Sequence, residues 1–341
     1  MRAAILEKLN SPLTVREVEL TELKVGQVLV KVLVSGLCGS QLHEICGHKG
    51  NAKFLPHLMG HEGCGIVEQI GPGVTTVKIG DKVVMHWRIG EGIEAPFPEY
   101  ILDGQKISSG KVTTLSEYSI VSENRLTSVP SDTPDELCAL LGCSLTTALG
   151  IIDNETDLKF GESVAIVGCG GIGLNLIQGA VLRGAFPIIG IDTAEFKREK
   201  SLSIGATFFL NPLKENLKLS NIDVVIDTTG NVSIIGEMTK YLSPNGRMIL
   251  VSPPSPNKFL NIPNVVNLFG GKGKIIKATQ GGKTNPTEDI PRYIKMSNAG
   301  ILDIKSVITH IFELSDINKA FDVLRSGQAG RVMIRIKEDV K

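Results

Sequence analysis

Two cysteines and one histidine occupy three glycine-rich stretches of the 341-residue chain. Cys38 lies in SGLCGSQLH, His61 in GHEGCGIVEQIG and Cys143 in GCSLTTALG. Their spacing alone does not select them, because they are far apart in sequence. Two thiolates and one imidazole are nevertheless a set that holds a catalytic zinc ion and leaves a fourth position open. The alternative is that both cysteines are small buried hydrophobic residues.

A second motif, GCGGIG at 168–173, is typical of a dinucleotide site. It follows the apolar run VAIV at 164–167 and opens a predicted helix. Glycines there permit a tight turn and close approach of the backbone to a pyrophosphate, which the helix N-terminus binds through free N–H groups. The predicted cofactor-binding residues of this loop are Gly168, Gly170, Gly171, Ile172 and Gly173.

Asp192 ends the next predicted strand, about twenty residues beyond the glycines, where a carboxylate binds ribose hydroxyls and repels a 2′-phosphate. This position favours NAD over NADP, unless Asp192 only caps a helix. Lys197 and Arg198 follow one turn later, and either cation is able to hold a phosphate. Lys197 is included among the predicted cofactor-binding residues.

The order of predicted elements indicates two kinds of domain. Short β-branched segments separated by glycine or proline fill the first part of the chain and predict antiparallel, barrel-like structure. Residues 88–115 form a long irregular lobe, and 136–152 read as one buried helix. From Gly161 onward strands and helices alternate, which predicts a parallel sheet with right-handed crossovers.

Composition excludes several classes of partner. Lys+Arg and Asp+Glu number 36 each and aromatic residues make up 5% of the chain, so neither nucleic acid nor an anionic membrane is favoured. No run approaches the roughly 18 apolar residues of a spanning helix, and charges interrupt the N-terminal segment. We therefore expect a cytoplasmic protein, in which the six cysteines serve metal or thiol chemistry rather than disulfides.

These stretches resemble the zinc-dependent alcohol dehydrogenases of the medium-chain dehydrogenase/reductase superfamily. The resemblance spans nearly the whole chain and includes GHEG at 60–63, GDKV at 80–83, the glycine motif and LRSGQAGRVMI at 324–334. It implies an α/β protein with a GroES-like β-barrel catalytic domain over residues 1–147 and 281–341. A Rossmann domain with a doubly wound parallel sheet would cover 148–280. A homo-oligomer, either a dimer or a tetramer, is also implied.

The resemblance assigns roles around the metal. Cys38, His61 and Cys143 match the ligands of the catalytic zinc. Ser40 matches a hydroxyl that touches the substrate alcohol, and His43 matches a histidine that passes the proton to solvent. The alternatives are that Ser40 is a turn residue and that His43 is an ordinary surface histidine.

Further matches concern the surroundings of the metal. Glu62 matches a carboxylate that either approaches the metal or pairs with an arginine. Arg331 matches an arginine near the cofactor pyrophosphate, Thr147 a threonine near the nicotinamide, and Trp87 a substrate-pocket position. Gly39 departs from the family, since many members place a pyrophosphate-contacting side chain there.

The lobe is a second departure, because residues 88–115 contain no cysteine. Members with a second, structural zinc bind it there through four closely spaced cysteines. We therefore expect one catalytic zinc, no structural zinc, and hydride transfer between NAD and a small alcohol or carbonyl, with polyols and sugars among the candidates. The alternatives are a zinc-free quinone or enoyl reductase of the same superfamily and a non-catalytic dinucleotide-binding protein.

Overall fold

A computed structural model describes residues 1–336, which form two compact units. The first unit comprises Met1–Thr146, Asn285–Ile304 and the described residues from Ile308 onward, and the second comprises Thr147–Thr284 and Lys305–Val307. The chain returns to the first unit at Asn285. Just before it, a Cβ on Gly282 would lie 2.5 Å from the backbone nitrogen of Ile151, so this turn packs tightly within the second unit. The domain boundary expected at 281 stays a prediction.

The first unit is built on a seven-stranded sheet around the central strand Gln27–Leu37. Its valines and leucines are largely buried, as expected for β-branched and apolar residues on a packed strand. Antiparallel partners of this strand are Glu62–Ile70, Tyr118–Ser122 and Arg331–Arg335. The outer strands are Lys82–His86, Leu126–Val129 and Ile308–Glu313.

Two three-stranded sheets and five α-helices complete the first unit in the part of the chain that the structure describes. One sheet contains Arg2–Leu6, Thr14–Glu17 and His57–Leu58, and the other contains Glu19–Leu20, Tyr100–Leu102 and Gln105–Ile107. The lobe at 88–115 is therefore not wholly irregular. The helices are Gly39–Ile45, Asp135–Leu140, Pro286–Asn298, Ile317–Arg325 and the start of Ser144–Asn154.

The second unit contains a six-stranded parallel sheet, which confirms the predicted α/β architecture. The strands in spatial order are Phe208–Leu210, Ile188–Ile191, Val164–Val167, Ile222–Asp227, Leu242–Leu250 and Ile275–Ala278. The order in which the chain adds strands reverses beside Val164–Val167, because the next two strands lie on one side of it and the later strands on the other. Open α/β sheets bind ligands at such a switch point. Its helices are Gly171–Leu182, Lys197–Ser203 and Val232–Met238.

The single helix predicted over 136–152 is wrong. Two helices, Asp135–Leu140 and Ser144–Asn154, are separated by a break around Gly142. A Cβ on Gly142 would lie 2.8 Å from the Cα of Glu62, so two backbones approach each other too closely for any side chain. The break leaves Cys143 just before the second helix. Within residues 1–336, none of the helices combines the length and apolar character needed to cross a bilayer.

Candidate metal centre and cofactor site

The side chains of Cys38, His61 and Cys143 converge within the first unit. Cys38 follows the central strand, His61 precedes strand Glu62–Ile70, and Cys143 precedes helix Ser144–Asn154. One donor atom from each of the three lies within 4.8 Å of the other two. Both cysteines are buried and the histidine is half-buried. The long-range pairing of strands thus brings together three residues that sequence spacing could not connect.

This donor set fits a zinc ion. Tetrahedral Zn–S and Zn–N bonds place neighbouring ligand atoms about 3.5–3.8 Å apart, which is compatible with the observed grouping. A hydrogen bond with Cys143, helped by His61 and opposed by burial, holds the pKa of the Cys38 thiol well below its usual value. Metal ligation requires the thiolate, so the local electrostatics favour the protonation state that zinc needs.

The carboxylate of Glu62 lies against other partners. Glu62 is 0% exposed, and its Oε2 accepts a hydrogen bond from the backbone N–H of Ser144 at 3.1 Å. The other oxygen, Oε1, forms an ion pair with the buried guanidinium of Arg331. Burial lowers the pKa of Arg331, while the adjacent Cys38 sulfur raises it. Of the two arrangements left open for Glu62, this structure contains the arginine pair, whereas a contact between Arg331 and the pyrophosphate stays a prediction.

Helix Gly39–Ile45 carries Ser40 and His43 one turn apart, and residues three apart share a helix face. Both side chains are half-buried. The Nδ1 atom of His43 lies 3.3 Å from Nδ1 of His48. Burial, His48 and Lys49 lower the pKa of His43, and Cys38 opposes this shift.

Gln41 is a residue of the centre that the motif reasoning missed. Its side chain is 0% exposed, and its Oε1 accepts a hydrogen bond from the backbone N–H of Cys38 at 2.8 Å. A glutamine three residues after the residue that precedes a helix is the capping-box pattern, so the signal was present in the sequence. Gln41 fixes the backbone that carries Cys38.

Trp87 directly follows strand Lys82–His86. That strand pairs with Glu62–Ile70, with Glu62 opposite His86, and His61 directly precedes Glu62. Trp87 is half-buried, packs against the core of the first unit, and has the guanidinium carbon of Arg88 5.4 Å from its ring centroid. Its contact with a substrate stays a prediction.

The glycine loop lies between strand Val164–Val167 and helix Gly171–Leu182. Gly168 adopts a φ of +89°, and a Cβ on Gly173 would collide with the carbonyl oxygen of Gly168. The residue before the helix is Gly170, and no described side chain caps the first turn. The first-turn N–H groups are therefore available to an anion, as a bound pyrophosphate requires.

Two further predicted residues lie in helices of the second unit. Ile172, within the loop itself, is half-buried and packs on the core of the unit, which anchors the start of the helix. Thr147 lies in helix Ser144–Asn154 and is 5% exposed. The nicotinamide contact of Thr147 stays a prediction.

Asp192 connects the glycine loop to the end of strand Ile188–Ile191. Its Oδ2 accepts a hydrogen bond from the backbone N–H of Cys169 at 2.8 Å and lies 3.0 Å from Nζ of Lys197. Its Oδ1 accepts the backbone N–H of Ala194 at 2.9 Å. The carboxylate is thus oriented next to the phosphate-binding loop, where a ribose carboxylate is needed. The residues of the second unit fit a dinucleotide.

Comparison with known proteins agrees with this geometry. Residues 24–131 match the alcohol dehydrogenase GroES-like domain, and residues 171–298 match the zinc-binding dehydrogenase domain. The chain is 28% identical to alcohol dehydrogenase class-3 of Cereibacter sphaeroides, over 98% of this chain and 99% of that protein. It is also 28% identical to S-(hydroxymethyl)glutathione dehydrogenase of Paracoccus denitrificans, again over 98% and 99%.

A solved structure shares the fold. Benzyl alcohol dehydrogenase of Acinetobacter calcoaceticus superposes with a TM-score of 0.89 at 23% identity, covering 98% of this chain and 99% of that one. These matches confirm the predicted pair of GroES-like and Rossmann domain types, and they do not favour the zinc-free or non-catalytic alternatives. The chain therefore belongs to the zinc-dependent alcohol dehydrogenase family of the medium-chain dehydrogenase/reductase superfamily, whose members are NAD-dependent oxidoreductases that act on alcohols.

Proposed function

We propose that this chain interconverts a small alcohol and its carbonyl compound with NAD and one catalytic zinc ion, held by Cys38, His61 and Cys143. The observation that carries the proposal is the grouping of these three donor atoms within 4.8 Å of one another. When bound, zinc supplies a Lewis acid that makes a substrate hydroxyl more acidic, and NAD supplies the hydride acceptor.

Two residues of helix Gly39–Ile45 transfer the proton of the substrate hydroxyl to solvent. Ser40 accepts it from the substrate hydroxyl, and His43, one turn away on the same face, delivers it to solvent. Because burial, His48 and Lys49 lower the pKa of His43, its imidazole is neutral and able to accept a proton near neutral pH. The same two residues return the proton in the direction of carbonyl reduction.

The surrounding residues position the reacting groups. The pair Glu62–Arg331 braces the ligand loops, because a buried carboxylate and guanidinium must stay together to avoid an uncompensated charge. Trp87 lines the substrate pocket. Arg331 and Thr147 are proposed cofactor contacts, at the pyrophosphate and the nicotinamide respectively.

The glycine loop and Asp192 hold the dinucleotide. Gly168, Gly170, Gly171, Ile172 and Gly173 form the loop that receives the pyrophosphate. Asp192 and Lys197 bind the ribose hydroxyls, and the charge of Asp192 favours NAD.

We further propose a single zinc per chain, without a structural zinc. The lobe at 88–115 contains no cysteine. It is anchored by Glu123, a buried carboxylate outside the lobe that accepts hydrogen bonds from Ile93 of the lobe and from Thr75 and Thr76. A second zinc has no soft donors to bind there.

Elemental analysis and a substrate panel test the function together. The purified protein is expected to contain one zinc per chain and to reduce NAD, followed as NADH absorbance, with at least one member of a set of primary alcohols, secondary alcohols, polyols and sugars. Two tightly held zinc ions per chain contradict the single site. Zinc-replete protein that binds NADH but turns over no alcohol and reduces no aldehyde or ketone contradicts the proposed chemistry.

We also propose that copies of the chain associate as a dimer or a tetramer. Strand Ile275–Ala278 ends the parallel sheet, and Phe259 and Phe269 are 82% and 77% exposed in the same unit. Sheet edges and exposed aromatic side chains are common at subunit interfaces. Sedimentation equilibrium at micromolar protein is expected to give a multiple of the chain mass, and a monomer contradicts the proposal.

A further inference from the structure

Arg198 lies immediately after Lys197 in helix Lys197–Ser203, close to the ribose-binding position of Asp192. An arginine near this position is the usual way for a Rossmann domain to accept the 2′-phosphate of NADP. In the sequence alone, Arg198 therefore favours binding of NADP, whereas Asp192 favours binding of NAD. The contacts that Arg198 makes in the fold decide whether its guanidinium is able to bind a 2′-phosphate.

All three guanidinium nitrogens of Arg198 have partners inside the protein. Nε donates to Oε1 of Glu195, Nη1 donates to the carbonyl oxygen of Phe209 at 2.7 Å, and Nη2 donates to Oε1 of Glu215 at 3.3 Å. The guanidinium carbon lies 4.9 Å from the centroid of the Phe209 ring. Arg198 is thus held on its edge by two carboxylates and a carbonyl, and on its face by an aromatic ring.

The two carboxylates are themselves held in place. The side-chain amide of Asn211 donates to Oε2 of Glu195 at 3.0 Å, and Nζ of Lys214 lies 3.2 Å from the same oxygen. The backbone N–H of Asn211 donates to Oε1 of Glu215 at 2.9 Å. The hydrogen bond from Arg198 lowers the pKa of Glu195 to about 2, and that from Asn211 lowers the pKa of Glu215. Both glutamates are therefore charged at neutral pH.

This cluster is continuous with the ribose-binding position. Asn211 also donates its amide N–H to the carbonyl oxygen of Thr193 at 3.0 Å, directly after Asp192. Lys197, the other nearby cation, is paired with Asp192 at 3.0 Å. Three cations therefore face three carboxylates: Lys197, Arg198 and Lys214 against Asp192, Glu195 and Glu215.

We propose that Glu195 and Glu215 are specificity-determining residues that exclude NADP by holding Arg198 in this ion-pair cluster. A phosphate monoester carries about −1.5 to −2 charge at neutral pH. To use Arg198, it must displace the guanidinium from both glutamates and then remain beside their charges and that of Asp192. The 2′-hydroxyl of NAD carries no charge and meets no such penalty. The inference rests on the proposed function, because it assumes a dinucleotide at the glycine loop.

One consequence separates this proposal from discrimination by Asp192 alone. If Asp192 were the sole determinant, Asp192→Ser would suffice to admit NADP. With Arg198 held by Glu195 and Glu215, that change removes one negative charge and leaves the phosphate without a free arginine. Releasing Arg198 then requires neutralising the glutamates as well.

Equilibrium binding tests the proposal without relying on turnover. NADPH and NADH are titrated into the purified protein and followed by nucleotide fluorescence, for the native chain, for Asp192→Ser, and for Asp192→Ser combined with Glu195→Gln and Glu215→Gln. We expect the triple variant to bind NADPH about tenfold more tightly than Asp192→Ser, the scale for exchanging partly exposed ion pairs for a phosphate pair. The gain should shrink as salt is raised.

Three further variants make the result specific. Arg198→Leu added to the triple variant should cancel the gain, since no guanidinium is left for the phosphate. Glu199→Gln, a charge removal at an exposed position of the same helix, should leave the affinity of Asp192→Ser for NADPH unchanged. Glu215→Gln alone in the Asp192→Ser background should give an intermediate gain.

The possible outcomes separate failure of the role proposed for Glu195 and Glu215 from failure of the proposed dehydrogenase function. A triple variant that binds NADPH no better than Asp192→Ser, or a gain that survives Arg198→Leu, overturns the role of the two glutamates while leaving the dehydrogenase function intact. A native protein that binds neither NADH nor NADPH overturns both.

Discussion

The metal centre and the lobe at 88–115 belong to the same unit but satisfy their polar groups in opposite ways. In the centre, two buried sulfur atoms and an imidazole nitrogen face one another within 4.8 Å. Such donors are completed by a cation. At the anchor of the lobe, the buried carboxylate of Glu123 is already surrounded by hydrogen-bond donors, so an added cation has nothing to complete.

Glu123 is the anchor of the lobe and is 0% exposed. Its Oε1 accepts the backbone N–H groups of Thr75 at 2.6 Å and Thr76 at 2.8 Å, and its Oε2 accepts that of Ile93 at 2.7 Å. These bonds tie the loop at 72–76 to the start of the lobe. The difference between the two regions shows how a lobe without cysteines is held in place. Hydrogen bonds from backbone N–H groups to Glu123 have the structural role that a metal ion would otherwise have there.

The largest expected effect comes from removing a ligand. Cys143→Ala should abolish zinc binding and lower turnover by at least the roughly 10²- to 10³-fold that loss of one transition-state charge stabiliser costs. Metal analysis and NADH absorbance measure both. Cys46→Ala, which changes an exposed cysteine outside the centre, is the matched control and should keep the metal. A Cys143→Ala protein that retains one zinc and full activity would contradict the assignment of the centre.

The next largest effect is expected from breaking the ion pair between Glu62 and Arg331, which lies beside the predicted zinc ligands. Arg331→Met leaves Glu62 charged and unpaired in the core, and breaking a buried pair in this way costs about 3–5 kcal/mol of unfolding free energy. Zinc affinity should also fall about 10- to 100-fold, as for other residues that support ligands. Denaturant unfolding and competitive chelation provide the two readouts.

Arg335→Met is the control for this pair on the same strand. Arg335 pairs with Glu136 at 3.0 Å, with side chains 48% and 28% exposed, so its loss should cost under about 1 kcal/mol. Equal losses for the two variants would show that the buried pair has no special role.

A smaller effect should separate metal binding from proton transfer within the centre. Ser40→Ala is expected to keep one zinc and to slow the chemical step by about 10²-fold, the usual scale for a lost acid–base group. Single-turnover NADH formation measures the step, and metal analysis confirms the zinc. His43→Gln should lose less and be partly rescued by concentrated buffer. Native rates for Ser40→Ala across the pH range would move the proton path elsewhere.

The smallest effect is expected at Glu123, the anchor of the lobe. Glu123→Gln replaces one acceptor oxygen with an amide N–H that faces backbone donors, so it should cost about 1–3 kcal/mol of stability and leave the zinc content unchanged. Glu91→Gln, at an exposed position of the lobe, should change neither. Loss of zinc in Glu123→Gln would contradict the independence of the two regions.

This effect should depend on pH in one direction. Burial acts to raise the pKa of Glu123, but hydrogen bonds from Thr75, Ile93 and Thr76 lower it overall. A carboxylate with a lowered folded pKa stabilises the fold above its unfolded pKa of about 4.3, and that contribution is lost as pH falls through the folded pKa. Thermal unfolding should therefore show the largest gap between native and variant near neutral pH.

Local pattern was enough to predict the second unit and the glycine loop. The alternation of apolar strands and helices after Gly161, and the glycines at 168–173, follow from backbone sterics and hydrophobic periodicity, which act over a few residues. Asp192 was predicted for the same reason, since its distance from the loop is a property of one βαβ unit. Cys38, His61 and Cys143 were selected by residue type and by family resemblance, because no local rule relates positions so far apart.

Only the tertiary structure decided the remaining features. The helix break at Gly142 arises where its backbone meets that of Glu62, and helix propensity contains no information about so distant a neighbour. The partner of Glu62 lies on a strand more than 260 positions later, brought there by the register of the sheet. In the sequence, Arg198 is a cation that is able to bind a phosphate, whereas in the fold it is already paired with Glu195 and Glu215. In each case the residue type was readable, but its electrostatic partners depend on which backbones the fold brings into contact.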